Sequence, residues 1–201
     1  LSMEAKRLHK LEVEISRKVS MTSVVSSIDK SYIGVDTLRV AKLGVDYLSE
    51  APKPVSKGKL NIGFLGNLNY EPNFHAVLEL IEIVNNARQL GIELKCNIAG
   101  KIDPSKINSM CVQSDVCFLG FVENKRQFLS SLDIFVAPLV SGSGMQNKIL
   151  EAMEVDTPVL TTRIGVSDIN AKNDFEIFIR DKEQFVDFLM SAYLKKISIE
   201  N

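Results

Sequence analysis

The sequence has few of the residues that mark several well-known protein classes. It contains no tryptophan, two histidines and three cysteines, and no apolar run approaches the ~20 residues that a membrane-spanning helix needs. Its 24 Lys and Arg residues balance 25 Asp and Glu residues, which leaves a net charge of -1. This balance lacks the basic surface typical of nucleic-acid-binding domains, so we expect no nucleic-acid partner. No basic start with a short apolar core indicates a signal peptide.

The residues that commonly bind metals or carry redox chemistry are not spaced for a site. Cys96, Cys111 and Cys117 lack the C-x2-C pairs of zinc and redox centres, so we interpret them as ordinary thiols in a reducing cytoplasm. His9 and His75 are far apart in sequence and support neither a metal site nor a catalytic triad. The sequence therefore predicts a cytoplasmic protein with no metal site and no cofactor.

The first 50 residues form too small a unit to bury a core of their own. Apolar residues at helical spacing predict an amphipathic helix over residues 3–19, and β-branched runs predict short strands at 22–25 and 38–43. Residues 51–59 are rich in Pro, Ser and Lys, a composition typical of an exposed linker. The predicted organisation is a partial domain over 1–50, a linker over 51–59 and a complete domain over 60–195.

From residue 60 onward, short apolar runs alternate with helical patterns. This alternation predicts a doubly wound α/β domain with a parallel, Rossmann-like sheet, whose carboxyl strand edge is the expected ligand site. Asn73 is the expected N-cap of the first of these helices. The predicted strands cover residues 60–66, 94–100, 116–120, 133–139, 158–162 and 175–179, and the helices cover 74–90, 104–110, 125–132, 145–155 and 182–195.

The richest segment for chemistry is the Ser/Gly loop between the fourth of these strands and its helix. Gly142, Ser143 and Gly144 precede a predicted helix start, where unpaired backbone N–H groups and the positive helix end favour an anion. Lys148, one turn into the helix, adds a positive charge for a diphosphate. Glu151 lies three residues further along a similar face. Because a carboxylate repels phosphate, we interpret Glu151 as an acceptor for sugar hydroxyls.

This segment resembles the nucleotide-sugar-binding, C-terminal half of group 1 (family four) glycosyltransferases with the GT-B fold. The resemblance covers about residues 20–195 and rests on several motifs in the same order and spacing. They are Ser141-Gly-Ser-Gly, Lys148-Ile-Leu-Glu-Ala-Met and Thr157-Pro-Val-Leu-Thr-Thr, Gly66-Asn-Leu-Asn-Tyr-Glu-Pro-Asn-Phe-His-Ala, Ile98-Ala-Gly, Leu119-Gly-Phe-Val and Gly44-Val-Asp.

The resemblance implies retaining transfer of a hexose-type sugar from a nucleotide diphosphate donor, without an obligatory metal. Glu151 matches the family residue expected on the ribose, whereas Ser143 stands where a glutamate commonly contacts the donor sugar. Asn67 stands near the place of a phosphate-binding Arg, and the backbone at Phe121 and Val122 would meet the nucleobase. The expected donor-binding residues are Gly66, Asn67, Phe121, Val122, Gly142, Ser143, Gly144, Met145, Lys148 and Glu151.

A GT-B enzyme has two such halves, so the resemblance implies that this chain lacks most of the acceptor domain and is inactive alone. The expected partners are a UDP- or GDP-type nucleotide sugar and a glycan or lipid-linked acceptor, with peripheral contact to the inner membrane face through the missing domain. No catalytic residue is assigned. The alternative is a non-catalytic α/β interaction module that has lost donor binding, because Ser143 and Asn67 replace two expected charges. A nucleotide-sugar 2-epimerase also has this fold, and the absence of G-x-G-x-x-G argues against an NAD-binding domain.

Overall fold

A computed structural model describes residues 3–42, 44, 58–108, 114–142 and 144–200, the last five without their side chains. Its N-terminal part is a small unit of two helices and two parallel two-residue strands, at the positions that the sequence predicts. The predicted linker falls largely on residues 51–57, and these, like Val45, Asp46 and Cys111, lie outside the described residues. The elements of this part are α1 (Met3–Lys18), β1 (Ser23–Val24), α2 (Ser27–Ile33) and β2 (Arg39–Val40).

The rest of the chain forms a six-stranded, all-parallel sheet with helices on both faces. Its strands are β3 (Leu60–Leu65), β4 (Leu94–Ala99), β5 (Val116–Gly120), β6 (Ile134–Ala137), β7 (Val159–Thr161) and β8 (Phe178–Ile179). They are arranged in the order β5-β4-β3-β6-β7-β8, so the direction of winding reverses between β3 and β6. The predicted doubly wound, Rossmann-like α/β fold is confirmed.

Helices connect these strands close to the predicted positions. They are α3 (Glu71–Gln89), α4 (Pro104–Asn108), α5 (Lys125–Ser130), α6 (Asn147–Glu154) and α7 (Phe185–Glu200). The last predicted strand is shorter than expected, since Phe175 is 82% exposed and β8 begins at Phe178. In the described part of the chain, no helix is both long and apolar enough to cross a membrane.

The core lies between the sheet and its helices because the strands carry apolar side chains on both faces. Phe64 of β3 and Phe135 of β6 are fully buried and stack with ring centroids 6.1 Å apart. Cys96 is buried in the same core, where burial raises the pKa of its thiol, as expected for a structural cysteine.

The start of α3 differs from the prediction in a way that affects the site. Asn73 is not the N-cap, because Tyr70 takes that position and the helix begins at Glu71. Pro72 favours this earlier start, since its fixed φ suits the first helical turn and its missing N–H is not needed there. Asn73 therefore lies inside the first turn, buried, with its amide free to join other elements.

Candidate functional site

A cleft of about 370 Å³ lies at the carboxyl edge of the sheet, beside β3, where the strand order reverses. Parallel strands all end at the same edge, so the loops that follow β3, β4 and β5 meet there with the start of α6. Six of the ten predicted donor-binding residues line it, namely Gly66, Asn67, Phe121, Val122, Lys148 and Glu151. The cleft is completed by Leu65, Asn73, Gly100, Lys101 and Lys125.

Two glycines allow the strand ends to approach closely at the base of the cleft. Gly100 has φ +136°, and a Cβ at this position would lie 1.8 Å from the carbonyl oxygen of Gly66. The Gly66 N–H donates to the Ala99 carbonyl at 3.0 Å, and the Gly100 N–H donates to the Gly120 carbonyl at 2.7 Å. Because no other residue fits at Gly100, the backbone itself forms the floor between β3 and β4.

Lys148, the second residue of α6, is tied to the opposite side of the cleft by an amide. Its Nζ donates to Asn73 Oδ1 and lies 5.1 Å from the centre of the Phe64 ring. The Asn73 Nδ2 in turn donates to the Asn67 carbonyl at 2.9 Å. This chain of contacts joins the loop after β3, the first turn of α3 and the first turn of α6, and it holds the ammonium group in place.

Partial burial also changes the acidity of Lys148. Burial lowers its pKa to about 8, and the nearby carboxylate of Glu151 only partly opposes this shift. The side chain is therefore still mainly protonated at neutral pH, but the charge is poorly solvated. An anion bound beside it would replace the lost hydration, so the arrangement favours a negatively charged ligand.

Glu151 lies one turn further along α6 and is paired across the cleft. Its Oε1 accepts from Lys125 Nζ at 2.5 Å, and a quarter of its side chain is exposed. Lys125 is the first residue of α5, where the Asn124 side chain caps the helix by accepting from the Gln127 N–H at 3.0 Å. The pair places a carboxylate and an ammonium group side by side at the cleft wall.

Phe121 presents a large aromatic surface at the mouth of the cleft. It is 69% exposed, although it directly follows β5, and Lys101 Nζ lies 5.8 Å from its ring centre. An exposed ring beside a cation is suited to stacking on a flat, electron-rich group such as a nucleobase. Val122 is half-buried behind it and packs against the core.

Lys101 and Lys125 were not among the predicted site residues, although the sequence held a signal for both. Lys101 follows Gly100 at the end of β4, and Lys125 begins the helix that leaves β5. A residue just after a strand, or at the start of the helix that follows one, lies at the carboxyl edge of a parallel sheet. The two lysines supply positive charge that Asn67 does not.

The glycine-rich loop connects β6 to α6 but does not line the cleft. Gly142 and Gly144 have φ +138° and +74°, values that strongly favour glycine. Met145 follows them and is half-buried, whereas Ser143 lies outside the described residues. Gln146 is the N-cap of α6 and makes no side-chain capping bond, so it leaves backbone N–H groups of the first turn uncapped.

Comparison with known proteins finds the same architecture in enzymes of one family. The family model described as "Glycosyl transferases group 1" matches residues 59–193. Comparison with curated protein sequences finds no match.

Three solved structures illustrate the similarity of fold. TarM, from S. aureus, is 18% identical with a TM-score of 0.76, over 94% of this chain and 39% of TarM. HepE from Anabaena, in complex with UDP, is 15% identical with a TM-score of 0.74, over 99% and 64%. WaaG, a glycosyltransferase involved in lipopolysaccharide biosynthesis, is 13% identical with a TM-score of 0.66, over 88% and 55%. The chain thus spans less than two thirds of the length of each of these proteins.

Proposed function

The chain belongs to the group 1 glycosyl transferases, and on that basis we propose that it binds a nucleotide diphosphate sugar as the donor-binding half of a glycosyltransferase. The proposed division is a donor domain over 60–195, a linker over 51–59 and, over 1–50, the end of an acceptor domain. The relatives' own ligands support a UDP-type donor, since HepE has been crystallised with UDP and with UDP-glucose.

The observation that carries the proposal is the shared cleft of Lys148, Glu151 and Phe121. Phe121 and the backbone at Val122 receive the nucleobase, and Glu151 accepts hydrogen bonds from the ribose hydroxyls. Lys148 and the uncapped N–H groups of the first turn of α6 hold the diphosphate, with Gly66 and Asn67 opposite. The glycine-rich loop Gly142–Met145 then borders the sugar.

The chemistry that follows from this placement is transfer of a hexose-type sugar with retention at the anomeric carbon. The acceptor is a glycan or a lipid-linked hydroxyl, presented by the other half of the enzyme at the inner face of the membrane. TarM has been crystallised with α-GlcNAc-glycerol and UDP, and WaaG takes part in lipopolysaccharide biosynthesis, which supports a glycan acceptor. The described half supplies donor binding, and we propose that it does not catalyse transfer by itself.

Calorimetric titration of the full chain with UDP, GDP and ADP tests the proposal. We expect at least one nucleotide to bind, and Glu151→Gln to weaken it about tenfold, because charge-assisted hydrogen bonds to the ribose are lost. Glu154→Gln is the matched control, since Glu154 on the same helix pairs with Arg126 outside the cleft. No binding at millimolar concentration, or equal effects of the two variants, would refute it.

The alternative, a non-catalytic interaction module, is favoured by one observation on α1. Leu8, Leu11 and Ile15 form an apolar stripe along this helix, and each is about half exposed. Such a stripe is suited to packing against another protein surface. Sedimentation of the chain with and without residues 1–20 tests this function, which predicts self-association or partner binding that disappears with the deletion, together with no affinity for nucleotides.

A further inference from the structure

A buried carboxylate connects the N-terminal unit to the sheet domain. Asp168, in the turn after β7, is 4% exposed and accepts from Ser26 Oγ at 2.6 Å, Ser27 Oγ at 2.6 Å and the Ser27 N–H at 3.0 Å. Lys42 Nζ donates to its backbone carbonyl at 3.1 Å. Burial opposes ionisation, but these hydroxyl and N–H donors outweigh it and lower the pKa of Asp168. The carboxylate thus holds the N-terminus of α2 at a defined place.

This contact sets Asp29, in the first turn of α2, against the glycine-rich loop. A Cβ placed on Gly144 would lie 3.9 Å from Asp29 Oδ2. Within the described residues, no hydrogen bond or ion pair occupies the Asp29 carboxylate, although its backbone N–H donates to Ser26 Oγ at 3.2 Å. The side chain is half-buried, so its oxygens are partly desolvated while they remain accessible to a ligand.

The loop itself offers no charged acceptor at this place. Residues 140–145 read Val-Ser-Gly-Ser-Gly-Met and contain no carboxylate. In the proposed donor complex, Lys148 holds the diphosphate and the loop preceding α6 borders the sugar. Sugar hydroxyls are bound well by carboxylate oxygens, whereas a carboxylate facing the phosphates would be repulsive. The available carboxylate at the sugar end is that of Asp29, which comes from the other unit of the chain.

We propose that Asp29 binds a hydroxyl group of the donor sugar and that Asp168 is the positioning residue that holds Asp29 there. This inference rests on the proposed function, and it assigns sugar recognition to the N-terminal unit. Nucleotide and sugar are then recognised by different parts of the chain. Phe121, Lys148 and Glu151 bind the nucleotide, while Asp29 favours the nucleotide sugar over the bare nucleotide.

The test compares the affinity for nucleotide sugars with the affinity for the parent nucleotide. UDP, UDP-glucose, UDP-galactose, UDP-N-acetylglucosamine, GDP and GDP-mannose are titrated into the full chain. We expect one sugar to bind more tightly than its parent nucleotide, and Asp29→Asn to reduce this preference about tenfold while the affinity for the nucleotide changes little. Asp36→Asn, at an exposed carboxylate of the same unit, is the matched control and should change neither.

The role of Asp168 is tested by a double-mutant cycle on the same preference. Asp168→Asn alone should also reduce it, but should add nothing in the Asp29→Asn background, because the two residues act through one contact. The inference is overturned if UDP or GDP binds and no sugar binds more tightly than its nucleotide. It is also overturned if Asp29→Asn strengthens nucleotide and nucleotide sugar equally, which is the result of simple charge repulsion. Failure of every nucleotide to bind would instead refute the proposed function.

Discussion

Raising the pH from 7.0 to 8.5 is expected to weaken nucleotide binding about fourfold, through the single side chain of Lys148. Its pKa in the free protein is about 8, because the ammonium group is partly buried between α6 and Asn73. A diphosphate bound beside the group would favour the charged form and return its pKa at least to the ordinary 10.5. Binding therefore requires the protonated lysine, and the free protein must take up whatever fraction of a proton is missing.

The size of this effect follows from the two pKa values. With a free pKa of about 8, roughly 0.1 of the lysines are unprotonated at pH 7.0 and roughly 0.75 at pH 8.5. Each binding event should take up about the same fraction of a proton. The apparent dissociation constant rises in proportion to the loss of the protonated form, which gives the factor of about four between these pH values.

Calorimetry in pairs of buffers with different ionisation enthalpies measures the proton uptake directly. Lys148→Met should abolish the rise in uptake between pH 7.0 and 8.5 and flatten the pH dependence of the dissociation constant. Proton exchange that belongs to the ligand appears in this variant as well and is subtracted. Equal uptake in the wild type and in Lys148→Met, or an affinity independent of pH in the wild type, would refute the placement of the diphosphate at Lys148.

Three other predictions concern single positions. Gly100→Ala should lower the free energy of unfolding in urea by more than ~2 kcal/mol, because the added Cβ would lie 1.8 Å from the Gly66 carbonyl oxygen. Gly91→Ala, also at positive φ but in open space, should cost only about 1 kcal/mol, and equal losses would contradict this reasoning. Asp168→Asn should lower the melting temperature above pH 4, and the difference should shrink as the pH falls through the lowered pKa of Asp168, where the wild-type carboxylate also becomes neutral. A difference that persists at pH 2 would indicate a cause other than ionisation. Phe121→Ala should weaken nucleotide binding about tenfold through lost stacking while leaving the melting temperature nearly unchanged, since the ring is 69% exposed. An unchanged affinity would remove Phe121 from the base-binding role.

Local patterns were sufficient to predict the sheet and the edge at which its ligand site lies. Each strand is a short apolar run and each helix has its own periodicity, so position and type follow from neighbouring residues. The carboxyl edge then follows from the parallel arrangement, which explains why Asn67, Phe121, Lys148 and Glu151 were predicted for one cleft and lie in it. The start of α3 was misplaced by two residues, because Asn73 is a common capping residue and Pro72 was not weighed as an N-terminal signal.

The sequence by itself determined the order of strands and helices, the fold class and the family, because these depend on periodicity and on motifs within short stretches. The tertiary structure alone decided which side chains meet. The Asn73 amide holds Lys148, which is 75 residues away, and Asp168 holds Ser26 and Ser27, which are more than 140 residues away. No local pattern encodes such pairs, since the distance between them is set by how the whole chain packs. The charge state of Lys148 has the same origin, because burial lowers its pKa and burial is a property of the packed fold.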